Sequence, residues 1–247
     1  MFLSRIELSP QAAVSDVFWR EVSKPYGAHQ ALWRLFGSPE PQPRSFLFRH
    51  EESAGRPAFL VLSASQPVEG VDSLWRLETR EFRPALRVGQ LLGFRLRASP
   101  VVQRRPRGGA EGRRSRRHDI VMDLKRRTES ERRALASEQE LIFKAGSAWL
   151  RAQGERAGFA LCDGAAEVLG PDGLLETRQA APALRVEGYR QHRIRRGGAG
   201  DAPIRFSTLD FEGVLEVREP DAFLRAVTKG FGPEKAFGCG LMLLRRA

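Results

Sequence analysis

Two residues that can do acid–base chemistry lie three positions apart near the start of the chain. They are Tyr26 and His29, in a sequence that contains only two tyrosines and four histidines. A histidine side chain titrates near neutrality, at about 6.5, and a tyrosine hydroxyl can donate a hydrogen bond. Ser23 and Pro25 are typical of a helix start, and residues three apart share one helix face. The spacing therefore predicts that both side chains lie on one face just inside a helix N-terminus, where they could act as a catalytic pair, and the alternative is a buried histidine that packs beside a tyrosine.

A second stretch, near the other end of the chain, carries two Gly-x-Gly units separated by five residues. The glycines are Gly230, Gly232, Gly238 and Gly240, and Lys235 lies between the two units. Glycine lets the backbone approach a ligand closely, and successive backbone amides can bind an anion. We therefore expect a phosphate-binding loop, and the alternative is a plain turn between a helix and a strand. The order of helix and then strand excludes a dinucleotide-binding fingerprint, which needs the reverse.

Positive charge is in large excess and lies in clusters. The net charge is +11, which favours an anionic partner, most often nucleic acid, although an arginine-rich genome would give the same excess. Arg193 lies near the end of a predicted strand, and Arg195 and Arg196 begin the glycine-rich tip that follows it. Arg104 with Arg105 begins another basic segment. An arginine-rich hairpin suits phosphates and guanine edges, but the A-form major groove is too narrow for it. Such a hairpin would need the end of a duplex or a hairpin loop, and the alternative is a solvated charged hairpin.

No metal, cofactor or membrane segment is expected from the sequence. The two cysteines, Cys162 and Cys239, are far apart and lack the spacing of metal ligands, and the histidines are scattered. The first residues have no basic segment followed by a long apolar run, and no apolar stretch is long enough to span a bilayer. We therefore expect a cytoplasmic protein that works without a cofactor.

The elements that would position these residues follow one order twice. Alternation predicts strands at both ends of the first half, with a helical segment and a hairpin between them. The predicted elements are a strand at residues 1–8, a helix at 11–36, strands at 44–50 and 57–65, a reduced helix near 71–75 and a strand at 77–83. The order β-α-β-β-(α)-β is that of a ferredoxin-like unit.

The second half repeats this pattern after a junction at residues 84–89. Residues 104–117 lack apolar periodicity and are predicted to form a mobile basic loop. The predicted elements are strands at 91–98, 184–194, 204–217 and 238–245, short strands at 159–162 and near Val168, and helices at 129–153 and 220–229. The predicted fold is α+β, with tandem ferredoxin-like (βαββαβ) domains and antiparallel sheets, an N-terminal domain at 1–86 and a C-terminal domain at 90–247.

Three of these segments together resemble CasE, the CRISPR RNA endoribonuclease family of the type I-E Cascade complex. They are Tyr26-x-x-His29 with the following Gln-Ala-Leu-Trp-Arg-Leu-Phe, the strand Phe94-Arg-Leu-Arg-Ala-Ser-Pro100, and the loop from Gly230 to Gly240. The resemblance implies tandem ferredoxin-like domains and a stem-loop RNA that is cut at the base of its stem without a metal. It also implies attack by the RNA 2′-hydroxyl, with a 2′,3′-cyclic phosphate and a 5′-hydroxyl as products.

The same resemblance assigns catalysis to His29 and Tyr26, and it implies CRISPR repeat RNA and other Cascade subunits as partners. Whether His29 removes a proton from the 2′-hydroxyl or delivers one to the leaving oxygen stays open. The main interpretation is an endoribonuclease that matures CRISPR transcripts and stays bound to its product. The alternative is a catalytically silent RNA-binding subunit. A DNA-binding protein with a basic arm is less favoured, because no helix-turn-helix or zinc pattern is visible.

Overall fold

The computed structural model describes eleven stretches of the chain. They are residues 1–9, 26–36, 46–53, 56–68, 75–104, 116–127, 137–162, 165–169, 175–179, 184–194 and 202–247. The chain forms two compact units. The first unit comprises Met1–Ala85, Thr228–Gly230 and Glu234–Leu241, and the second comprises Leu86–Val227, Phe231–Pro233 and Met242–Ala247.

The first unit is built on a four-stranded antiparallel sheet. Its elements are β1 (Phe2–Leu8), α1 (Gly27–Trp33), a 3₁₀ turn (Arg34–Phe36), β2 (Phe46–Ser53), β3 (Arg56–Ser63) and β4 (Trp75–Glu81). The strand order is β2-β3-β1-β4. The central strand β1 pairs with β3 on one side and β4 on the other, so that Ile6 lies opposite both Phe59 and Leu77.

The core of the first unit forms where α1 covers one face of this sheet. Alternate residues of a strand point to the same face, and Ile6, Phe48 and Phe59 are all buried on the face that Leu32 of α1 packs against. Ile6 and Leu32 are fully buried. Burial of such apolar side chains is the main stabilising contribution, so the position of α1 on the sheet is fixed by packing.

The second unit contains a larger antiparallel sheet with helices and two short hairpins. Its elements are β5 (Leu91–Ala98), β6 (Val101–Arg104), β7 (Arg116–Asp119), α2 (Ile120–Arg127), α3 (Glu138–Ala157), β8 (Phe159–Leu161), β9 (Ala165–Leu169), β10 (Leu175–Gln179), β11 (Arg185–Ile194), β12 (Ile204–Val217), α4 (Pro220–Lys229) and β13 (Met242–Arg246). A 3₁₀ turn (Lys235–Phe237) lies between α4 and β13 in the chain and is counted with the first unit. The main path of the sheet runs β11-β12-β5-β13, and β8 pairs with the end of β12.

The two sheets share one topology. When the four strands of each path are numbered in chain order, the second lies at an edge and is followed by the third, the first and the fourth. This is the strand order of a ferredoxin-like βαββαβ unit, with α3 and α4 as the two crossover helices of the second unit. The predicted α+β fold with tandem ferredoxin-like units is confirmed. Trp149 of α3 stacks on Phe211 of β12 at 5.6 Å, and the absence of a side chain at Gly146 lets α3 lie close to Val186.

Several predicted boundaries are wrong, and a capping hydrogen bond explains one of them. The helix that carries His29 begins at Gly27, and its N-cap is Tyr26 and not the predicted Ser23. The long helix begins at Glu138 and not near residue 129, since the Ser137 hydroxyl accepts a hydrogen bond from Glu140 N at 3.2 Å. Residues 10–25, which cover most of the predicted first helix, and the reduced helix at 71–74 lie outside the described residues.

The basic segment is also more ordered at its ends than predicted. Its two ends pair as a hairpin, β6 with β7, in which Arg104 lies opposite Arg116, and α2 follows directly where no separate helix was expected. Residues 105–115 lie outside the described part. β10 was not predicted, and the last strand starts at Met242, after the glycine-rich loop and not within it.

Candidate active site

Tyr26 and His29 come together as the spacing predicts. Tyr26 is the N-cap residue of α1, and His29 lies one turn further along the same face, with the two ring centroids 4.8 Å apart and tilted by 45°. The Tyr26 side chain makes no capping hydrogen bond, although its carbonyl oxygen accepts from Gln30 N at 3.2 Å. The phenol hydroxyl is therefore not used to start the helix.

The two residues of the pair differ sharply in exposure. Tyr26 is 43% exposed, whereas His29 is 6% exposed. The imidazole ring lies among three more aromatic rings, at centroid distances of 5.5 Å from Phe46, 6.1 Å from Phe48 and 6.0 Å from Trp33. Its Nδ1 atom is buried. These ring contacts hold the orientation of the imidazole.

The second half of the glycine-rich loop packs beside this pair. The Phe237 ring meets the Tyr26 ring edge-on, with centroids 6.0 Å apart, and Gly238 lies over Phe48, where an added Cβ atom would be 3.4 Å from the ring. Glu234–Leu241 thus belongs to the same compact unit as Tyr26 and His29. The sequence placed the two motifs about two hundred residues apart and gave no signal that Phe237 would contact Tyr26.

The loop glycines are required by the backbone itself. Gly230, Gly232, Gly238 and Gly240 all have left-handed φ angles, between 73° and 95°. An added Cβ atom on Gly230 would also lie 2.8 Å from Leu47 and 2.9 Å from the Cε atom of Lys235. Turn conformation and close packing therefore explain the glycines, and phosphate binding by Gly230, Gly232, Lys235, Gly238 and Gly240 stays a prediction.

The arginine-rich hairpin is a two-stranded arm, formed by residues 189–194 of β11 and 204–208 of β12. Arg193 lies directly opposite Arg205, and both side chains are exposed. Within the described part of the chain neither makes an ion pair, so two like charges face each other across the ribbon. Arg205 was not singled out from the sequence, although the run Ile204-Arg-Phe206 in an alternating strand is the signal that identifies it. Arg195 and Arg196 lie outside the described residues.

The opposite face of the arm carries His192, whose ring is held by contacts within the arm. The His192 ring stacks on Phe206 with centroids 4.7 Å apart, and its Nε2 atom lies 3.0 Å from the Thr208 hydroxyl. Burial lowers the pKa of His192, and the charges of Arg190 and Arg97 lower it further. His192 is therefore held neutral by its surroundings and lies on the arm, in the second unit.

Arg104 already has a partner within the protein. Its guanidinium donates to both carboxylate oxygens of Asp123, from Nε at 3.2 Å and from Nη2 at 2.7 Å, and this hydrogen bonding raises the pKa of Arg104. The pair joins β6 to α2. Arg105 lies outside the described residues, so RNA contacts by either arginine stay predictions. Of the other histidines, His50 is exposed on β2 and His118 lies in β7.

Two further surveys of the described residues give no additional site. No group of three or more His, Cys, Asp or Glu side chains in these stretches is arranged to hold a metal ion. None of the described helices combines the length and the apolar character needed to cross a bilayer.

Comparison with known proteins places these features in a family. The model of the family described as CRISPR-associated protein matches residues 1–246, nearly the whole chain. The chain belongs to this family. The resemblance to CasE that the three sequence segments carry is confirmed by this match together with the two relatives below, and the matching solved structures agree with the tandem ferredoxin-like fold.

Two curated members of the CRISPR-associated family and one solved structure illustrate the relationship. The Cascade subunit CasE of Escherichia coli K12 is 29% identical over 226 residues, covering 89% of this chain and 90% of the relative. The CRISPR-associated endoribonuclease Cse3 of Thermus thermophilus is 28% identical over 253 residues, covering 98% of both. The structure of Thermus thermophilus Cse3 bound to an RNA that represents a pre-cleavage complex matches with a TM-score of 0.65 and 25% identity, covering 99% of this chain and 98% of that one.

Proposed function

We propose that the chain is a metal-independent endoribonuclease that cuts CRISPR repeat stem-loop RNA and stays bound to the mature CRISPR RNA as a Cascade subunit in the cytoplasm. The observation that carries the proposal is the contact of Tyr26 with His29 beside the loop segment Glu234–Leu241, within one compact unit. The names of the relatives support it, since one is an endoribonuclease and another a Cascade subunit.

The proposed reaction uses a nucleophile that the RNA itself supplies. The 2′-hydroxyl loses its proton, and its oxygen forms a bond to the adjacent phosphorus. The bond from phosphorus to the 5′-oxygen breaks, and this oxygen takes up a proton. The products are a 2′,3′-cyclic phosphate and a 5′-hydroxyl. One proton is removed and one is delivered, so the reaction needs groups that transfer protons and donors that stabilise charge on the phosphate.

His29 is the proton-transfer residue in this proposal. Because its Nδ1 atom is buried, the proton is exchanged at Nε2. At this edge His29 either accepts the proton of the 2′-hydroxyl or protonates the leaving 5′-oxygen. The surrounding Phe46, Phe48 and Trp33 rings keep water away and fix the ring plane, which favours a single productive geometry.

Tyr26 and the basic residues are assigned to the phosphate groups. The Tyr26 hydroxyl, exposed and not engaged in capping, donates a hydrogen bond to an oxygen of the scissile phosphate, where negative charge grows in the transition state. Arg193 and Arg205 on the arm contact phosphates of the RNA stem. Lys235 supplies a positive charge from the loop segment that packs beside Tyr26.

The deciding experiment uses the purified chain and the repeat RNA of its host in buffer with EDTA. A matched RNA has a 2′-deoxy nucleotide at the position of the attacking hydroxyl. We expect cleavage of the first RNA, with a cyclic phosphate on the product, and intact deoxy RNA. Cleavage of the deoxy RNA would exclude the mechanism. Tight binding of both RNAs without cleavage of either would instead establish the catalytically silent RNA-binding subunit.

A further inference from the structure

One carboxylate joins the basic insertion to the base of the arm. Asp119 ends β7, and its Oδ1 atom accepts a hydrogen bond from Met122 N at 2.7 Å, which caps α2. Its Oδ2 atom accepts from the Tyr189 hydroxyl of β11 at 3.1 Å and from the Ser207 hydroxyl of β12. Asp119, Tyr189 and Ser207 are called the Asp119 junction below. The junction connects three strands and a helix of the second unit through a single side chain.

The junction lies where the arm leaves the body of the sheet. Between Glu187 and Arg190 the β11 ladder advances by three residues while its partner advances by two, so β11 contains a bulge. Gly188 in this bulge has a left-handed φ of 68°, and bulges bend a strand and increase its twist. Tyr189, the next residue, also accepts a hydrogen bond at its hydroxyl from Gln191 Nε2 at 3.0 Å. The direction of the arm is therefore set at the residue that Asp119 holds.

The Tyr189 hydroxyl stays a hydrogen-bond donor at any physiological pH. Burial raises the pKa of Tyr189 to about 12, with Asp119 contributing in the same direction and the hydrogen bond from Gln191 opposing it. The Tyr189 hydroxyl can therefore donate to Asp119 throughout the physiological pH range.

Three arginines share the side of the arm and hairpin on which the junction lies. Side chains two residues apart in a strand point to the same face, so Arg205 shares a face with Ser207, and Arg117 shares one with Asp119. Arg193 lies opposite Arg205 on the same ribbon face. All three are exposed, and within the described residues none of them forms an ion pair. Their charges are therefore available to an anionic ligand.

We propose that Asp119 is a positioning residue for RNA binding, which aligns β7 with the arm so that Arg117, Arg193 and Arg205 form one surface for the phosphates of an RNA stem. This inference rests on the proposed function. A surface that is ordered before binding loses less conformational freedom in the complex, so the junction raises affinity without touching the RNA. Neither the Asp119 carboxylate nor the Tyr189 hydroxyl is a catalytic group here.

The test is a double-mutant cycle between the junction and one arginine. Tyr189→Phe removes the hydroxyl that Asp119 holds on the arm but leaves the cap of α2. Binding is measured by titration with the host repeat hairpin RNA, made uncleavable by the 2′-deoxy substitution, for the wild type, each single variant and the double variant. We expect Arg193→Ala to weaken RNA binding about tenfold in the wild type and less than about threefold in Tyr189→Phe. The effect is smaller there because an arginine that is already displaced contributes less to RNA affinity.

Ser137→Ala is the matched control for a general loss of stability. It removes the cap of α3 in the same unit and leaves the arm unchanged. Arg193→Ala should therefore reduce RNA affinity as much in this variant as in the wild type. Ser207→Ala tests the second hydrogen bond of the junction and should reproduce the effect of Tyr189→Phe. If Arg193→Ala reduced RNA affinity equally in the wild type and in the Tyr189→Phe, Ser207→Ala and Ser137→Ala variants, the positioning role would be overturned and the proposed function would stay intact. A wild-type chain that bound no repeat RNA would overturn both.

Discussion

The ring of Tyr26, which is 43% exposed, lies 4.8 Å from the ring of His29, which is only 6% exposed. His29 is enclosed by aromatic rings, and Tyr26 is the member of the cluster that is largely exposed. The exposed phenol and the buried imidazole are therefore direct neighbours. In the proposed mechanism, Tyr26 is the group that binds the charged phosphate and His29 is the group that transfers a proton.

Replacing His29 should abolish most catalysis while sparing RNA binding. General acid–base catalysis contributes about 10²- to 10⁴-fold, so His29→Ala should lower the single-turnover cleavage rate by that order. Affinity for the uncleavable RNA should change by less than about threefold, because one buried side chain contributes little to a contact area dominated by phosphates. His50→Ala is the control, because His50 is an exposed histidine of the same unit, and this variant should cleave at the wild-type rate.

The proton that His29 handles can be read from the same variant with a modified RNA. A sulfur atom in place of the leaving 5′-oxygen departs without needing a proton. If His29 is the general acid, His29→Ala should cleave the 5′-thio RNA at nearly the wild-type rate. If it is the general base, the variant should stay slow on both RNAs. A His29→Ala protein that cut ordinary repeat RNA at full speed would remove His29 from the mechanism.

Removing only the hydroxyl of Tyr26 should slow cleavage without unfolding the site. Tyr26→Phe keeps the ring contacts with His29 and Phe237, and the lost donor to a charged transition state should cost about 10- to 10³-fold in rate. The melting temperature should stay unchanged, since the hydroxyl makes no capping bond. Tyr26→Ala should lose further activity because it also uncovers His29. Equal rates for wild type and Tyr26→Phe would reduce Tyr26 to a packing residue.

The sheets could be predicted because their sequence pattern is local. Strands such as Leu91–Ala98 alternate apolar and polar residues, and this period of two survives folding, so the element order and the fold follow from it. The pairing of Tyr26 with His29 is equally local, because three residues on a helix decide it. These parts of the structure need no information from distant segments.

The remaining features depend on contacts that no local pattern contains. The packing of Phe237 against Tyr26, and the bonds that join Asp119 to Tyr189 and Ser207, link segments far apart in the chain. The β6–β7 hairpin was hidden because its arginines suppress the apolar alternation on which strand prediction rests. Its ends are ordered by pairing and by the bond of Arg104 to Asp123.

The loop glycines should differ in what they tolerate. Gly230→Ala places a Cβ atom 2.8 Å from Leu47 at a left-handed φ of 79°, so it should cost more than the about 1–2 kcal/mol of backbone strain alone. Gly238→Ala meets its nearest atom only at 3.4 Å and should cost about that strain. Glu234, left-handed at 58°, gives the converse test, since Glu234→Gly should raise the melting temperature and Glu234→Ala should not. Equal melting temperatures for Gly230→Ala and Gly238→Ala would contradict the packing argument.

Arg193 and Arg205, which face each other on the arm, should strengthen RNA binding but lower the stability of the protein without RNA. Arg205→Ala should weaken RNA binding about three- to tenfold and reduce the slope of log affinity against log salt by about one, because one phosphate contact is lost. In the free protein the change relieves repulsion from Arg193, so the melting temperature should not fall. Arg76→Ala is the control, an exposed arginine paired with Glu78 in the other unit. If Arg76→Ala flattened the salt slope equally, net charge and not the arm would account for the effect.

Acid should destabilise the arm through His192. Burial, with Arg190 and Arg97 nearby, lowers the pKa of His192 in the folded state, so below about 6.5 the unfolded chain binds more protons than the folded one. Stability therefore falls as the pH drops from about 6.5 toward the lower folded pKa and is fully retained above this window. His192→Gln cannot titrate but can still hydrogen-bond Thr208, so its melting temperature should fall less than that of the wild type between pH 7.5 and 5.5. The two proteins should have the same melting temperature at pH 7.5, where His192 is neutral in the folded and the unfolded state. An identical fall in melting temperature in acid would show that His192 does not contribute to the pH dependence.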